Sequence, residues 1–492
     1  MMNINEALSA QAQTRPTASA LTDTLGHEWS FADLEKAADD LAAELKTRGV
    51  LPGDRVLMLL ENCAPVVAVI FAATRIGAVA IPINARLSDA EVDRVIAHAT
   101  PAAVLTTSQV SSEAAAHADR LGAETISGSY GNLDCKVLEN DPDPDLSDVG
   151  VILYTTGTTG VPKGVMLTHD NLMFAGAASR DARDLCPDDK VFGVLPISHV
   201  FGLASVVMAC TIAGASVRLE PRFTAQGLYT ALQEGITALS AVPQMLAKLM
   251  HYTATKGYDS LPNSALRYVS SGAAPLDIDW KRRTEAFLGL PLQNGYGMTE
   301  ATAGICLTRH TSSTDDISVG PPLPGVELRI DTTAPGSQDD VGEVQLRGAN
   351  VMKGYFRNTE ASAEAFTKDG WLRTGDLGAY DAQKQLHIKG RSKELIIHGG
   401  FNVYPPEVEA ALNDHPKVIQ SAVIGRQIDG DEKVWAYVEV SAEDRPTEQE
   451  LLESLSRTLA AYKRPSRIVM TEKLPAAATG KILKHLLHKI PE

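Results

Sequence analysis

The stretch "YTTGTTGVPKG" (residues 154–164) places three glycines, four threonines and one lysine within eleven residues. Glycine lets backbone N–H groups approach a ligand closely, and threonine hydroxyls add short, neutral donors. Successive amides in such a turn form a nest for an anion, and Lys163 adds a charge. The apolar run "VGVIL" (149–153) reads as a strand that feeds the loop. Lys163 follows a proline, so the stretch departs from the GxxxxGK[ST] pattern of P-loop nucleotidases. By itself it fits a phosphate cradle or a polar surface turn.

The elements around the loop are those of an α/β chain. "SFADLEKAADDLAAELKTRGV" opens with Ser30 and Asp33 at capping-box spacing, and Leu34, Leu41 and Leu45 recur at helical spacing until Gly49. Buried-type strands are predicted over 54–60, 78–83 and 102–107, with a buried helix over 64–77. Further strands are predicted over 191–195, 216–219 and 266–270. This alternation implies right-handed crossovers and a parallel sheet. From about Ser318 the chain changes to short β segments broken by Gly and Pro, read as a β-rich subdomain over about 318–391. An α+β pattern follows: an αβ unit over 406–425, a strand over 434–440, a helix over 449–462 and a strand over 468–471. The expected architecture is a large N-terminal domain (1–391) of stacked, parallel-type α/β sheets plus the β-rich subdomain. A small, mobile α+β domain (392–492) completes it.

The chain has 492 residues, 44% hydrophobic and 22% charged, which supports two to four globular domains. A net charge of −16 argues against a general nucleic-acid or anionic-membrane surface. Local amides and cations can still hold a phosphorylated ligand. Cys63, Cys135, Cys186, Cys210 and Cys306 form no CxxC pair and read as reduced structural thiols. The N-terminus lacks the basic start and apolar core of a signal peptide. No apolar run approaches the ~20 residues that span a bilayer, and the final "HKIPE" is not a peroxisomal address. A cytoplasmic enzyme without a membrane span is therefore expected, as a monomer or homodimer.

Five stretches in order carry a family resemblance. "YTTGTTGVPKG" resembles the phosphate loop of the adenylate-forming (AMP-binding) enzymes, a superfamily that includes acyl-CoA synthetases, peptide-synthetase adenylation domains and luciferase. "NGYGMTE" (294–300) resembles its adenine-and-magnesium motif, and "WLRTGDLG" (371–378) its ribose motif. "GRSKELIIHGGFNVYPPEVE" (390–409) resembles its hinge, and "LPAAATGK" (474–481) the segment with its C-terminal lysine. The resemblance implies ATP, Mg2+ and coenzyme A as reactants and cofactor. Thr155, Thr156, Gly157, Thr158, Thr159 and Lys163 would hold the β- and γ-phosphates. Glu300 would anchor magnesium, a hard cation suited to carboxylate and phosphate oxygen, with Thr299 near the α-phosphate. Asn294, Gly295, Tyr296 and Gly297 would line the adenine. Asp376 would accept both ribose hydroxyls, and Arg391 would reach the same ring. Lys481 would bridge the substrate carboxylate and the α-phosphate. Lys393 occupies the hinge position. Gly399 and Gly400 would line the thiol entry, and Lys463 is a candidate for CoA phosphates, although a solvated basic patch fits it as well.

"LPISHVFGL" (195–203) resembles the motif before the acid pocket, with His199 at a gate position. "SSGAAPL" (270–276) resembles coumarate–CoA and fatty acyl-CoA ligases, with Gly272, Ala273 and Ala274 in the wall between acid and adenine. No aspartate stands in "SHVFGLASVV" to pair with a substrate amine, and a buried unpaired ammonium is costly. Val200, Phe201, Val242, Met245 and Ile305 suggest an apolar acid, either a medium-chain fatty or an aryl/phenylpropanoid one. The expected activity is an ATP-dependent acid–CoA ligase. The alternative is an adenylating enzyme that loads a carrier-protein phosphopantetheine thiol.

Overall fold

The computed structural model describes residues 3–156, 162–261, 264–273, 276–398, 401–428, 431–477 and 482–491. Two eight-stranded sheets dominate the large N-terminal domain. In the first, Ser216–Leu219, Lys190–Gly193, Ala238–Ala241, Tyr268–Gly272 and Leu292–Met298 run parallel, and Ala303–Leu307 returns antiparallel at one edge. In the second, Ala103–Thr106, Arg55–Leu60, Val79–Asn84 and Val149–Thr156 run parallel, and Pro162–Thr168 returns antiparallel. The helix Ala64–Arg75 is buried from Ala64 to Thr74. A helix apolar on all sides must be enclosed, and this one sits in the core shared by both sheets. The helix Phe31–Thr47 begins at the Ser30–Asp33 capping box, in which Asp33 N–H donates to Ser30 Oγ at 3.2 Å.

The β-rich region forms a four-stranded antiparallel sheet of Val326–Asp331, Gly342–Gly348, Leu372–Tyr380 and Leu386–Arg391. A smaller C-terminal domain follows. Its antiparallel strands Val418–Ile428 and Asp431–Val440, with Arg467–Thr471 added in parallel, pack on the helices Pro405–Asn413 and Glu448–Leu455. Val408, Leu412, Val423, Ala436, Leu451, Leu455 and Ile468 form its own core.

Among the boundaries that differ from the sequence expectation, two have a clear physical cause. The helix predicted over 449–462 ends at Leu455, and a separate turn Ala461–Lys463 follows. Arg464 precedes Pro465 and is extended, as sterics before proline favour. Tyr462 leaves the helix to stack on Phe401, with ring centroids 4.7 Å apart. The strand predicted over 266–270 runs Tyr268–Gly272 instead. Pairing with Leu292–Met298, which sets Gly272 opposite Gly295, decides this register.

Asp414 of the C-terminal domain lies against Asp277, which caps the helix Ile278–Leu288. Partial shielding from water and then the Asp277 carboxyl raise Asp414, which stays partly open to solvent, to about 7; Asp279 adds to this and Arg283 opposes it. A carboxyl whose folded value is raised binds its proton more tightly in the docked state. The docking contribution is thus fully present below the ordinary value of 3.8 and is lost as pH rises through about 7. Cleavage by added protease near residues 391–398 is expected to accelerate between pH 6 and 8, and Asp414→Asn to flatten that profile. An identical profile in the variant counts against the contact.

Candidate active site

The loop expected to cradle phosphate joins the hairpin strands Val149–Thr156 and Pro162–Thr168. Gly157, Thr158 and Thr159 lie outside the described residues, and so do Ala274, Gly399, Gly400 and Lys481. Thr156 is described only through its backbone, which pairs with Pro162. Thr155 Oγ1 donates to the Lys163 carbonyl at 3.5 Å across the hairpin. Below the loop, the Tyr154 hydroxyl and His98 Nδ1 are 2.7 Å apart.

Lys163 reaches over the ring of Tyr355, with Nζ 4.8 Å from the centroid. The same tyrosine donates its hydroxyl to Glu300 Oε1 at 2.9 Å. Tyr355 therefore ties the cation of one motif to the carboxylate of another, 137 residues further along the chain. Its position is set by Phe356 N–H donating to the Gly164 carbonyl at 2.7 Å, and by Met352 N–H donating to the Glu300 carbonyl at 2.9 Å. Burial and the adjacent Glu300 push the Tyr355 phenol well above its ordinary value, so it stays a donor. Tyr355 was not singled out in the sequence; the only local signal is the preceding Gly354 with its φ of 147°.

Glu300 and Thr299 sit in the one-turn helix Thr299–Ala301, which follows directly on the strand Leu292–Met298. The chain then turns back through Thr302 and Ala303, both with positive φ. That return runs so close to the strand that a Cβ on Gly297 would stand 1.6 Å from the Ala303 carbonyl oxygen. Only glycine fits there, which explains the second glycine of "NGYGMTE" in packing terms. Among the described residues no group of three or more His, Cys, Asp or Glu could hold a metal. One carboxylate is nevertheless consistent with magnesium, which binds through one or two protein carboxylates plus substrate phosphates and water.

The second half of the site is a triad built on the buried Asp376. Tyr296 donates its hydroxyl to Asp376 Oδ2 at 2.6 Å, and Arg391 Nε lies 3.0 Å from Asp376 Oδ1. The strands Leu372–Tyr380 and Leu386–Arg391 set Asp376 directly opposite Arg391. Burial and then Asp376 push the Tyr296 phenol up, and the Asp376 charge raises Arg391. Glu343, also not singled out in the sequence, accepts from Gly375 N–H at 3.2 Å and fixes the turn that aims Asp376. Asn294 is engaged in the framework: its amide donates to the Ser318 carbonyl at 2.8 Å. Its backbone N–H donates to Thr308 Oγ1 at 2.8 Å.

His199 caps the short helix Val200–Gly202, its Nδ1 accepting from Phe201 N–H at 3.2 Å. A Cβ on Gly202 would stand 2.3 Å from the Pro196 carbonyl oxygen, so the close turn after His199 also requires glycine. The Phe201 ring faces Gly272, 3.4 Å from where a Cβ there would lie. Gly295 meets Gly272 from the neighbouring strand. Ala273 takes a φ of 65°, an uncommon conformation for a residue with a side chain. Val200, Val242, Met245 and Ile305 are all buried.

In the C-terminal domain, Lys393 is exposed in the turn Ser392–Glu394. Lys463 pairs with Glu407, its Nζ 2.6 Å from Oε1. Lys484, three positions beyond Lys481, reaches Glu394 Oε2 at 2.9 Å and Glu409 Oε1 at 2.8 Å. It ties the expected hinge, the helix Pro405–Asn413 and the tail together.

Comparison with known proteins places the chain in a family. Residues 8–356 match the AMP-binding enzyme family, and residues 407–481 match the AMP-binding enzyme C-terminal domain. The chain belongs to the AMP-binding enzyme family. It is 34% identical over 485 residues to a feruloyl-CoA synthase of an Amycolatopsis species, covering 96% of both chains. It is 33% identical to a 2-succinylbenzoate–CoA ligase of Bacillus licheniformis, covering 94% of this chain and 95% of that one. Among solved structures it resembles ATP-bound MatB from Rhodopseudomonas palustris, with a TM-score of 0.86, 31% identity and 99% of each chain covered. It also resembles the o-succinylbenzoate CoA synthetase MenE of Bacillus subtilis in complex with ATP and magnesium ion, with a TM-score of 0.83, 29% identity, and 98% and 99% coverage. No helix among the described residues is long and apolar enough to cross a membrane.

Proposed function

We propose that the protein is an AMP-forming acid–CoA ligase acting on an aryl or otherwise largely apolar carboxylic acid. The observation that carries this reading is the Lys163–Tyr355–Glu300 chain. It brings a cation to the ring and a carboxylate to the hydroxyl of one phenol, and a magnesium-bound polyphosphate needs both charges. In the first step a carboxylate oxygen of the acid attacks the α-phosphorus of ATP. The bond to the β-phosphate oxygen breaks, and pyrophosphate leaves with the electron pair. In the second step the CoA thiolate attacks the acyl carbonyl, and AMP leaves with the oxygen.

Lys163 and the loop amides neutralise the departing pyrophosphate, because fixed donors in a water-poor site stabilise charge that develops in the transition state. Glu300 would hold magnesium, which supplies charge neutralisation of the phosphates. Tyr355 orients the Glu300 carboxylate. Tyr296, Asp376 and Arg391 bind and align the nucleoside, and correct alignment supplies much of such a rate enhancement. The lobes 1–391 and 392–492 would pivot at Lys393, so that Lys481 serves adenylation and Gly399 and Gly400 serve thiol entry. The Lys484–Glu394 and Lys484–Glu409 pairs support this, since they make the segment after the pivot and the tail move as one piece.

Magnesium-dependent pyrophosphate release across fatty, aryl and dicarboxylic acids, followed by thioester formation with free CoA or a phosphopantetheinylated carrier protein, tests the reading. Lys481→Ala is expected to lower pyrophosphate release about 10²- to 10³-fold, the usual cost of losing a transition-state donor. It should leave thioester formation from supplied acyl-adenylate within a few-fold. Equal loss of both half-reactions would contradict the pivot.

A further inference from the structure

The strand Tyr268–Gly272 presents Tyr268, Ser270 and Gly272 on one face, because side chains alternate along a strand. Gly272 stands at the Phe201 ring, and Tyr268 lies four residues deeper, about 13 Å at the usual rise. The neighbouring strand adds Ser240, whose Oγ is 3.3 Å from Ser270 Oγ. Facing this line is the chain that carries His199 and Phe201. Beyond Phe201 it continues as a π-helix, Leu203–Met208, that contains Ser205. Such segments are rare and cluster at functional sites. At the deep end Arg183, which closes the helix His169–Ala182, donates from Nη1 to the Ser205 carbonyl. Ser179 of the same helix donates its hydroxyl to Ser205 Oγ at 3.3 Å.

Two polar atoms at this deep end have no hydrogen-bond partner among the described residues: Arg183 Nε and the Tyr268 hydroxyl. Arg183 is 6% exposed. The Tyr268 hydroxyl lies beside Arg183 and Ser270 without the geometry of a bond to either, and burial pushes its phenol up, which keeps it protonated. A buried N–H and a buried O–H left without partners are costly. An oxygen atom from a bound molecule would satisfy both.

We propose that Arg183 and Tyr268 form a polar far end to the acid pocket, selecting acids that carry an oxygen function remote from the carboxylate to be activated. This rests on the ligase reading above and narrows it. An acid with an apolar far end leaves both groups unpaired, whereas a phenol hydroxyl or a second carboxylate accepts from Arg183 and meets the Tyr268 hydroxyl. A site built around such a bond discriminates strongly against the analogue that lacks it.

The test is kcat/KM for pyrophosphate release with two matched pairs, decanoate being the apolar control. One pair is 4-hydroxycinnamate and cinnamate; the other is 2-succinylbenzoate and 4-oxo-4-phenylbutanoate. The protein should favour the oxygen-bearing member of at least one pair by about tenfold or more. The pair that responds distinguishes a hydroxyl from a carboxylate. Arg183→Met and Tyr268→Phe should each pull that ratio towards one, mainly by raising KM for the favoured acid. If Arg183→Met fails to fold, the near-isosteric Tyr268→Phe carries the test. Ratios near one in the unaltered protein, or ratios unchanged in both variants, overturn the proposal. Best turnover on decanoate would refute it while leaving the ligase reading intact; no pyrophosphate release with any acid would refute both.

Discussion

Replacement of Glu300 by glutamine is expected to cut magnesium-dependent pyrophosphate release about 10²- to 10³-fold, the scale for removing one group that stabilises developing charge. The substitution is nearly isosteric. The amide oxygen can still accept from Tyr355, whose hydroxyl donates to Glu300 Oε1 at 2.9 Å, so the local structure has no reason to collapse. What is lost is the negative charge that a hard divalent cation requires. The defect should therefore depend on magnesium: the concentration giving half-maximal rate should rise, and high magnesium should recover part of the activity. A variant with unchanged magnesium dependence would remove Glu300 from that role. Steady-state pyrophosphate assays over a magnesium series, with thermal melting alongside, read both quantities.

The second large effect is expected at Asp376. Asp376→Ala should weaken ATP binding about 100-fold. Asp376 is 4% exposed and carries the Tyr296 hydroxyl and the Arg391 guanidinium on its two oxygens. In the proposed complex those oxygens also serve the ribose. Hydrogen bonds to a charged group contribute about 1.5–3 kcal/mol each, so losing the carboxylate removes roughly two orders of magnitude in affinity. The variant also leaves the half-buried Tyr296 phenol without its acceptor, which should lower the melting temperature by a few degrees. Calorimetric titration with ATP checks the first expectation. Unaltered ATP affinity in a well-folded variant would show that the triad is structural only.

Much of this site was legible in the sequence because its parts are local. The strand-then-loop pattern before Lys163, the glycines of "NGYGMTE" and the Asp376 turn each sit within a short stretch, where backbone requirements leave a mark on residue choice. Gly297 is the clearest example: the packing that forbids a Cβ there comes from a return only six residues later. The parallel core and the capped helix Phe31–Thr47 were legible for the same reason, since periodicity and caps are local signals.

The tertiary structure decided the relations between distant stretches. No spacing rule joins Lys163, Tyr355 and Glu300; the antiparallel pairing of Gly354–Tyr355 with the strand Pro162–Thr168 does so. Nor does periodicity join Arg183 to Tyr268, 85 positions on. The two meet because the helix His169–Ala182 packs against the π-helical segment over the face of the strand Tyr268–Gly272. The sequence determined the family, because membership rests on short, fixed motifs. Three-dimensional packing alone brought together the Arg183 Nε and the Tyr268 hydroxyl, both unpartnered among the described residues. Which side chains share a pocket floor depends on sheet register and helix packing, and neither is written in any single segment.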